Sequence, residues 1–309
     1  FIDGEAGTTG LHVAARLRAH PHVKMLHIDD ALRKHPDARQ QLMRDSDITI
    51  LCLPDAAARD AVALAESDAS IRLIDASTAH RVDRSWVYGF PELTATQRTM
   101  IATASRISNP GCYPTGFLAL IKPLIATGVL PKNSQISVPA VSGYSGGGKS
   151  MIGAHDAGEL APQFSYCVNL AHKHLAEMMH YSELQTRPIF MPSVGDFYAG
   201  MLVHLPLHAD QFTEKVDADQ LYQIYADWYA GAALVGMGAA CANDENTPKM
   251  LAADALAGTD SMEIFVFSDM QAQHFWLVAR LDNLGKGASG AAVQNMNIAL
   301  GIDEANSLA

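Results

Sequence analysis

The first hundred residues alternate short apolar runs with helical segments, and this alternation restricts the fold more than any other feature. Residues 1–3 read as the end of a strand, and Thr9 to Ala19 spaces Leu11, Ala14, Ala15 and Arg18 as the faces of a helix. Met25 to Ile28 reads as a second short strand. Asp47 to Leu53 is a near-continuous apolar run, as expected of a strand buried on both faces. Ala56 to Glu66 reads as a helix, and Ile71 to Ala76 and Ser105 to Ser108 as further strands. Such an order requires a parallel sheet with helices over its faces.

The pattern changes after Cys112. An apolar helix from about Pro114 to Ala126 is followed by strand signals at Ser134–Val141, Ile189–Pro192, Ala199–Leu207, Met262–Ser268 and Phe275–Asp282. Asp217 to Tyr229 is the clearest helix among them, and a small-residue helix, about Ala288 to Leu300, ends the chain. Strands at this density predict a second domain on a mixed or antiparallel sheet.

Composition removes several function classes. The 309 residues carry a net charge of -11, from 22 basic and 33 acidic side chains. There is no basic stripe with interleaved aromatics, which argues against nucleic-acid binding. No apolar run approaches the length of a membrane span. The opening Phe1-Ile2-Asp3-Gly4 shows no secretory pattern and no initiating methionine, which predicts that residues ahead of Phe1 are missing from the first strand. Cys52, Cys112, Cys167 and Cys241 are far apart and form no C-x-x-C pair. Neither a disulfide framework nor a zinc knuckle is indicated, and a reducing, cytoplasmic setting fits best.

Cys112 stands in Ser108-Asn109-Pro110-Gly111-Cys112-Tyr113-Pro114-Thr115-Gly116, between a strand and a helix. Pro114 suits the first helical position, which puts Cys112 just before a helix N-terminus. The dipole and free N–H groups there favour a thiolate, so Cys112 is the candidate nucleophile. Cys52, inside an apolar strand, is the contrasting buried thiol.

Gly4-Glu5-Ala6-Gly7-Thr8-Thr9-Gly10 links the first strand to the first helix with G-x-x-G-x-x-G spacing. Glycines at such a turn let the backbone approach a pyrophosphate resting on the helix N-terminus. The alternative is a glycine turn with no ligand. Asp29 and Asp30 suit a ribose 2′-hydroxyl, as in NAD, whereas Arg33 and Lys34 suit the 2′-phosphate of NADP; the charges leave both open.

Ser77-Thr78-Ala79-His80-Arg81 follows a strand at its carboxyl end, where open α/β sheets bind ligands, and Arg81 can clamp a phosphate or carboxylate. The alternative is a surface arginine paired with Asp83. Ser142-Gly143-Tyr144-Ser145-Gly146-Gly147-Gly148-Lys149 is a flexible loop rich in N–H donors that lacks P-loop spacing. It reads as a backbone nest or as a plain linker.

His172-Lys173-His174 with Glu177 reads as an acid/base cluster near the thiol. On a strand the two imidazoles would share one face, but no third ligand stands at metal-site spacing. Two solvated histidines at a helix end are the alternative. His204 and His208 read as structural. The run Asp282–Asn297 is rich in small residues and implies tight helix packing, with Asn283 able to reach a cofactor.

Taken together, FIDGEAGTTGL, STAHR, SNPGCYPTG, SGYSGGGKS, HKHLAE and DNLGKGASGAAVQNMN resemble the shorter type of N-acetyl-gamma-glutamyl-phosphate reductase of arginine biosynthesis, within the semialdehyde dehydrogenase superfamily. The resemblance runs over the whole chain and departs at none of these motifs. It implies an α/β fold. Residues 1–111, completed by the C-terminal helix 283–309, would form a Rossmann-type dinucleotide-binding domain. Residues 112–282 would form an α+β catalytic, substrate and oligomerisation domain like that of glyceraldehyde-phosphate dehydrogenase.

The resemblance also implies NADP as cofactor, bound by Gly4, Gly7, Thr8, Thr9, Gly10, Ser77, Gly143, Gly146 and Asn283. Cys112 would be the nucleophile and His172 its acid/base partner, although His174 is not separated from that role. Arg81 would hold the phosphate, with Asn109, His174 and Glu177 on the substrate side, and no metal is implied. The expected reaction is NADPH-dependent reduction of N-acetyl-L-glutamyl 5-phosphate to N-acetyl-L-glutamate 5-semialdehyde, through a cysteine thioester, in a homodimer or homotetramer. Two alternatives stand beside it. One is a sister reductase acting on aspartyl phosphate or a carrier-bound aminoadipyl phosphate. The other is a non-catalytic NADP-binding sensor or scaffold.

Overall fold

The computed structural model describes residues 1–238 and 249–309, so Cys241 lies outside the described residues. The chain divides into two compact units, Phe1–Gly111 with Ala288–Ala309, and Cys112–Gly287.

The first unit is built on a five-stranded sheet in the order β1-β2-β3-β5-β4, with every pairing parallel. Its elements are β1 (Ile2–Asp3), α1 (Thr8–Leu17), α2 (Pro36–Asp45), β2 (Thr49–Leu51), α3 (Asp55–Ala65), β3 (Leu73–Asp75), β4 (Val87–Tyr88), α4 (Gln97–Thr103) and β5 (Arg106–Ser108). Neighbouring side chains of a strand point to opposite faces, and the core divides accordingly. Ile50, Ile74 and Ile107 pack with Val13, Ala14 and Leu17 of α1. Ala292, Val293, Met296 and Ala299 of the C-terminal helix Gly290–Ala299 join the same cluster. Leu51 and Leu73 point the other way, to Met43 of α2 and to Ala61 and Ala65 of α3. Both faces are covered, which accounts for the unbroken apolar runs of the strands.

The strand expected at Met25–Ile28 is absent, and β1 is the edge of the sheet. Val23 and Met25 pack against the Ile50 cluster from a segment without ladder hydrogen bonds. His27, which interrupts the run, turns outward to Glu5 at 3.1 Å. Partly buried side chains pack on the core here without any strand pairing.

The second unit holds α5 (Cys112–Ala126), β6 (Ser137–Gly143), α6 (Gly148–Asp156), β7 (Gln163–Ser165), α7 (Leu175–Ser182), β8 (Ile189–Gly195), β9 (Met201–His208), α8 (Ala218–Trp228), β10 (Val235–Met237), β11 (Met262–Ser268) and β12 (His274–Leu281). Among the described residues its strands form one mixed sheet, β10-β11-β12-β9-β6-β8-β7. Helix α5 is buried along nearly its whole length and lies on β9 and β12. Asp217 starts α8 by accepting the Gln220 N–H at 2.8 Å, while the Gln220 side chain accepts the Asp217 N–H at 2.9 Å, a reciprocal cap.

One further expectation is corrected. The stretch after Ser142 is not a loose loop: Tyr144–Gly147 makes one 3₁₀ turn and runs into α6. The N–H groups of Gly143, Tyr144 and Ser145 donate to the carbonyls of Gly200, Phe197 and Tyr198 at 2.9–3.0 Å, and these bonds override the low helix propensity of glycine. His172 and His174 occupy the turn that enters α7, the helix-end placement that the sequence left open.

Candidate active site

In the second unit, Cys112 is the first residue of α5, one step further into the helix than the position of Pro114 suggested. It is partly exposed. The turn after β12 backs it: a Cβ on Gly287 would fall 2.8 Å from the Cys112 Cβ and 3.0 Å from the Asp282 carbonyl oxygen. Glycine is therefore required at 287 for the turn to close on the cysteine.

Next to Cys112, the Tyr113 hydroxyl donates to the Ser193 carbonyl at 3.1 Å. Burial pushes the Tyr113 phenol well above its ordinary range, and hydrogen bonding to Tyr166 and the negative charge available at Cys112 add to this. Tyr166 is raised as well, by burial first and then by the nearby Cys112 and Cys167. Its hydroxyl lies 3.4 Å from His172 Nε2. Tyr113, Tyr166 and Phe190 each present an edge-to-face contact to the His172 ring, at centroid distances of 6.0, 5.6 and 5.1 Å. Tyr166 thus stands against His172 and within electrostatic range of Cys112.

That enclosure lowers the pKa of His172 to about 4, by burial and then by the positive charge of Lys173. The backbone N–H of His174 donates to His172 Nδ1 at 3.1 Å. Neutral His172 therefore carries its proton on Nε2, the atom that faces Tyr166. His174 is buried, with Nε2 4.0 Å from the buried Glu177 carboxylate. Sequence reasoning missed Tyr113, Tyr166 and Phe190 as the walls of this site. Tyr113 had a signal, standing inside the cysteine motif; Tyr166 and Phe190 had none.

Asn283 is buried and ties two loops together. Its Oδ1 accepts the Gly200 N–H at 2.8 Å, and its Nδ2 donates to Ser145 Oγ at 3.0 Å. Gly143 and Gly146 lie on the turn that it holds, where a Cβ on Gly146 would meet Ser142 Oγ at 3.1 Å and Asn283 Nδ2 at 3.4 Å.

In the first unit, Gly4 stands at φ +90° with no room for a side chain, since a Cβ would lie 2.4 Å from the Cys52 carbonyl oxygen. A Cβ on Gly10 would meet the Gly4 carbonyl oxygen at the same distance. Gly7 precedes α1, whose first turn includes Thr8 and Thr9 and carries neither a capping side chain nor an acidic residue. A bare turn ending on uncapped N–H groups fits the pyrophosphate of a dinucleotide. Asp29, Asp30, Arg33 and Lys34 are exposed, and Arg33 lies 3.9 Å from Asp30. Cys52, beneath this turn, is partly buried; desolvation first, then the nearby Asp75 and Asp3, push its thiol up to about 12, so it is a poor nucleophile.

Ser77 and Arg81 follow β3. Ser77 donates through both N and Oγ to Asp75, at 2.9 and 2.8 Å. Arg81 is buried, with Nε and Nη2 donating to the carbonyls of Asn109 and Ala76 at 2.9 and 3.1 Å. Asn109 is also buried: its Nδ2 donates to the Ala288 carbonyl at 2.9 Å and its Oδ1 accepts from Asn295 at 3.1 Å. That amide holds the strand end in front of the cysteine motif.

A parallel nucleotide-type sheet and a separate unit headed by a cysteine define a two-part dehydrogenase of the semialdehyde class. Residues 28–101 match the profile described as semialdehyde dehydrogenase, NAD binding domain, and residues 112–283 match that of the semialdehyde dehydrogenase dimerisation domain. Proteins named N-acetyl-gamma-glutamyl-phosphate reductase are similar over nearly the full length. The one from Trichormus variabilis is 47% identical, covering 98% of this chain and 97% of its own. Those from Brucella anthropi and Sinorhizobium medicae are 47% and 44% identical, each covering 97% of this chain and 98% of their own. The chain belongs to the N-acetyl-gamma-glutamyl-phosphate reductase family.

Solved structures share the fold at much lower identity. Aspartate semialdehyde dehydrogenase II of Vibrio cholerae superposes with a TM-score of 0.68 at 16% identity, over 97% of both chains. A probable aspartate-semialdehyde dehydrogenase of Pseudomonas aeruginosa gives 0.70 at 13%, over 97% of both chains.

Proposed function

We propose that this chain reduces N-acetyl-L-glutamyl 5-phosphate to N-acetyl-L-glutamate 5-semialdehyde, releasing phosphate, as a step of arginine biosynthesis. The observation that carries the chemistry is Cys112 at the head of a buried helix, in the same unit as a neutral His172 that Tyr166 and Tyr113 enclose. The substrate rests on family membership. The relatives that share 44–47% identity bear the reductase name, whereas the aspartate-type enzymes match at 13–16%.

The Cys112 thiolate attacks the acyl carbon, a C–S bond forms and the C–O bond to phosphate breaks. Phosphate leaves with its charge balanced by Arg81. A thioester remains on Cys112, and a thioester is far more readily reduced than a carboxylate. NADPH, when bound, supplies the two electrons and hydrogen that this reduction needs. Gly4, Gly7, Thr8, Thr9, Gly10, Ser77, Gly143, Gly146 and Asn283 would hold it, and Arg33 and Lys34 carry the charge that would suit a 2′-phosphate. Backbone N–H groups at the start of α5, that of Cys112 among them, stabilise charge on the thiohemiacetal oxygen. Neutral His172 donates a hydrogen bond from Nε2 toward that oxyanion, which collapses to the aldehyde as the C–S bond breaks and the electron pair returns to Cys112 as thiolate. His174, Glu177 and Asn109 complete the substrate side. The protein works in the cytoplasm as a homodimer or homotetramer of dinucleotide-binding and substrate domains.

The test runs the reaction in reverse at 340 nm, with NADP⁺, phosphate and N-acetylglutamate semialdehyde, and aspartate semialdehyde in a parallel cuvette. The reading predicts NADPH formation with the acetylated aldehyde alone, and only when phosphate is present. Turnover of aspartate semialdehyde instead would move the enzyme to another pathway. Silence in both cuvettes, from folded protein that binds NADP, would replace the reading with the non-catalytic one.

A further inference from the structure

The loop that carries Arg81 is tied down at each preceding residue. Ser77 donates twice to Asp75, Thr78 N donates to Asp55 at 3.0 Å, and the Ala79 carbonyl accepts from Arg59 at 3.0 Å. His80 is held most firmly. Its Nδ1 lies 2.6 Å from Asp75 Oδ2, and its ring stacks on Trp86 at a centroid distance of 4.4 Å and an interplanar angle of 13°. Asp75 is the last residue of β3 and fully buried, and His80 is only 8% exposed. A buried carboxylate accepts and does not donate, so His80 carries a proton on Nδ1 and is fixed both by that bond and by the ring face.

The next residue is Arg81, whose Nε–Nη2 edge is aligned by the carbonyls of Asn109 and Ala76. Those residues directly follow β5 and β3, adjacent parallel strands, at the carboxyl ends where such sheets bind ligands. A guanidinium recognises phosphate through a planar fork, so the angle of the plane matters as much as the charge. A bare surface arginine would need neither the buried carboxylate nor the stacked ring behind it.

We propose that His80 is a positioning residue: anchored to Asp75 and stacked on Trp86, it sets the plane of the Arg81 guanidinium for the phosphate of the acyl-phosphate substrate. This rests on the reading of Arg81 as the phosphate-holding residue. His80 itself need not touch the substrate. It acts through the loop, and its loss changes phosphate affinity rather than the chemistry at Cys112.

The test is a double-mutant cycle on the phosphate KM of the reverse reaction, using wild type, H80F, R81A and H80F/R81A. H80F keeps a ring against Trp86 and removes the bond to Asp75. The phosphate KM is expected to rise about tenfold in H80F, with kcat within about threefold of wild type, as for a misplaced positioning group. In the R81A background, H80F should change the phosphate KM no further, because the effect passes through Arg81. H80N, which keeps a donor at the Nδ1 position, should restore a KM near wild type. If H80F does not fold, H80Q carries the same comparison, because its amide nitrogen lies one bond further out. An unchanged phosphate KM in the folded His80 variant would overturn the proposal, as would an equal rise in the presence and absence of Arg81. Failure of the underlying reading looks different: R81A alone then leaves the phosphate KM at the wild-type value, and the proposal falls with it.

Discussion

Tyr229 donates its hydroxyl to the carbonyl of Ala119 at 2.8 Å, and this is the carbonyl that Pro123 leaves without a helical N–H. Proline inside a helix removes the bond to the residue four back. In α5 the lost bond is replaced from the residue that ends α8, and Tyr225 within α8 donates to the Leu120 carbonyl. The helix headed by Cys112 is thereby held by two phenols, one on α8 and one just past its end.

Tyr229→Phe should therefore destabilise the protein by about 1–3 kcal/mol, the cost of orphaning a buried carbonyl. In urea unfolding the midpoint should fall with little change in slope. An unchanged midpoint would mean that the Ala119 carbonyl has another way to be satisfied.

His172 supplies a pH prediction. Folded, it titrates near 4, below its ordinary 6.5, so between these values the unfolded chain binds more protons than the native one. Its contribution to stability is complete above about pH 6.5 and is lost as pH falls toward 4. The loss of melting temperature between pH 7 and pH 4.5 should be smaller in His172→Phe than in wild type. Nitrogen-detected NMR should find the neutral ring protonated at Nε2, as the 3.1 Å bond from the His174 N–H to Nδ1 demands. A ring protonated at Nδ1, or one titrating near 6.5, would contradict the arrangement.

Glu183 makes a trade that can be measured. It sits at φ +64°, where glycine is favoured, while it pairs with the buried Lys122 and, at 2.6 Å, with Lys132. Those two partners lower its carboxyl to about 2. Its contribution is thus full above about pH 4.5 and lost as pH falls through about 2. Glu183→Ala loses the pairs and keeps the backbone strain, whereas Glu183→Gly loses the pairs and relieves it. The glycine variant should be the more stable of the two by about 1 kcal/mol. Equal stability would show that the left-handed backbone carries no strain there.

Much of the fold is legible in the sequence. Asp47–Leu53 and Ile71–Ala76 read as strands because helices cover both faces of their sheet, and the helix expected at Asp217–Tyr229 forms as Ala218–Trp228 behind a reciprocal Asp217–Gln220 cap. Met25–Ile28 failed because two apolar residues can pack on a core without joining a ladder. Within the site, Cys112 was legible because proline and glycine punctuate its turn. Tyr166 was not, because it enters only through the antiparallel pairing of β7 with β8, and no local pattern records a contact made over that distance. The Asp75–His80 bond was hidden for a different reason: the residues are near in sequence, but only burial distinguishes an anchored histidine from a surface one.

Gly287→Ala tests the wall behind the nucleophile. The added Cβ would stand 2.8 Å from that of Cys112, closer than real Cβ contacts allow, so the cysteine or the turn must shift. A displacement of this size at a reacting atom should cost about tenfold or more in kcat. Dinucleotide affinity, read by NADPH fluorescence, should stay near wild type. Full activity in Gly287→Ala would show that the turn gives way at no cost to Cys112.

The central claim is that the acyl group passes through Cys112. The most direct measurement is mass spectrometry of the protein after mixing with NADP⁺ and N-acetylglutamate semialdehyde in the absence of phosphate. The account predicts one equivalent of NADPH per site and an N-acetylglutamyl adduct on the peptide that contains Cys112. Added phosphate should discharge the adduct, and Cys112→Ser should form neither product. NADPH formation without an adduct, an adduct on another residue, or turnover by Cys112→Ser would contradict it.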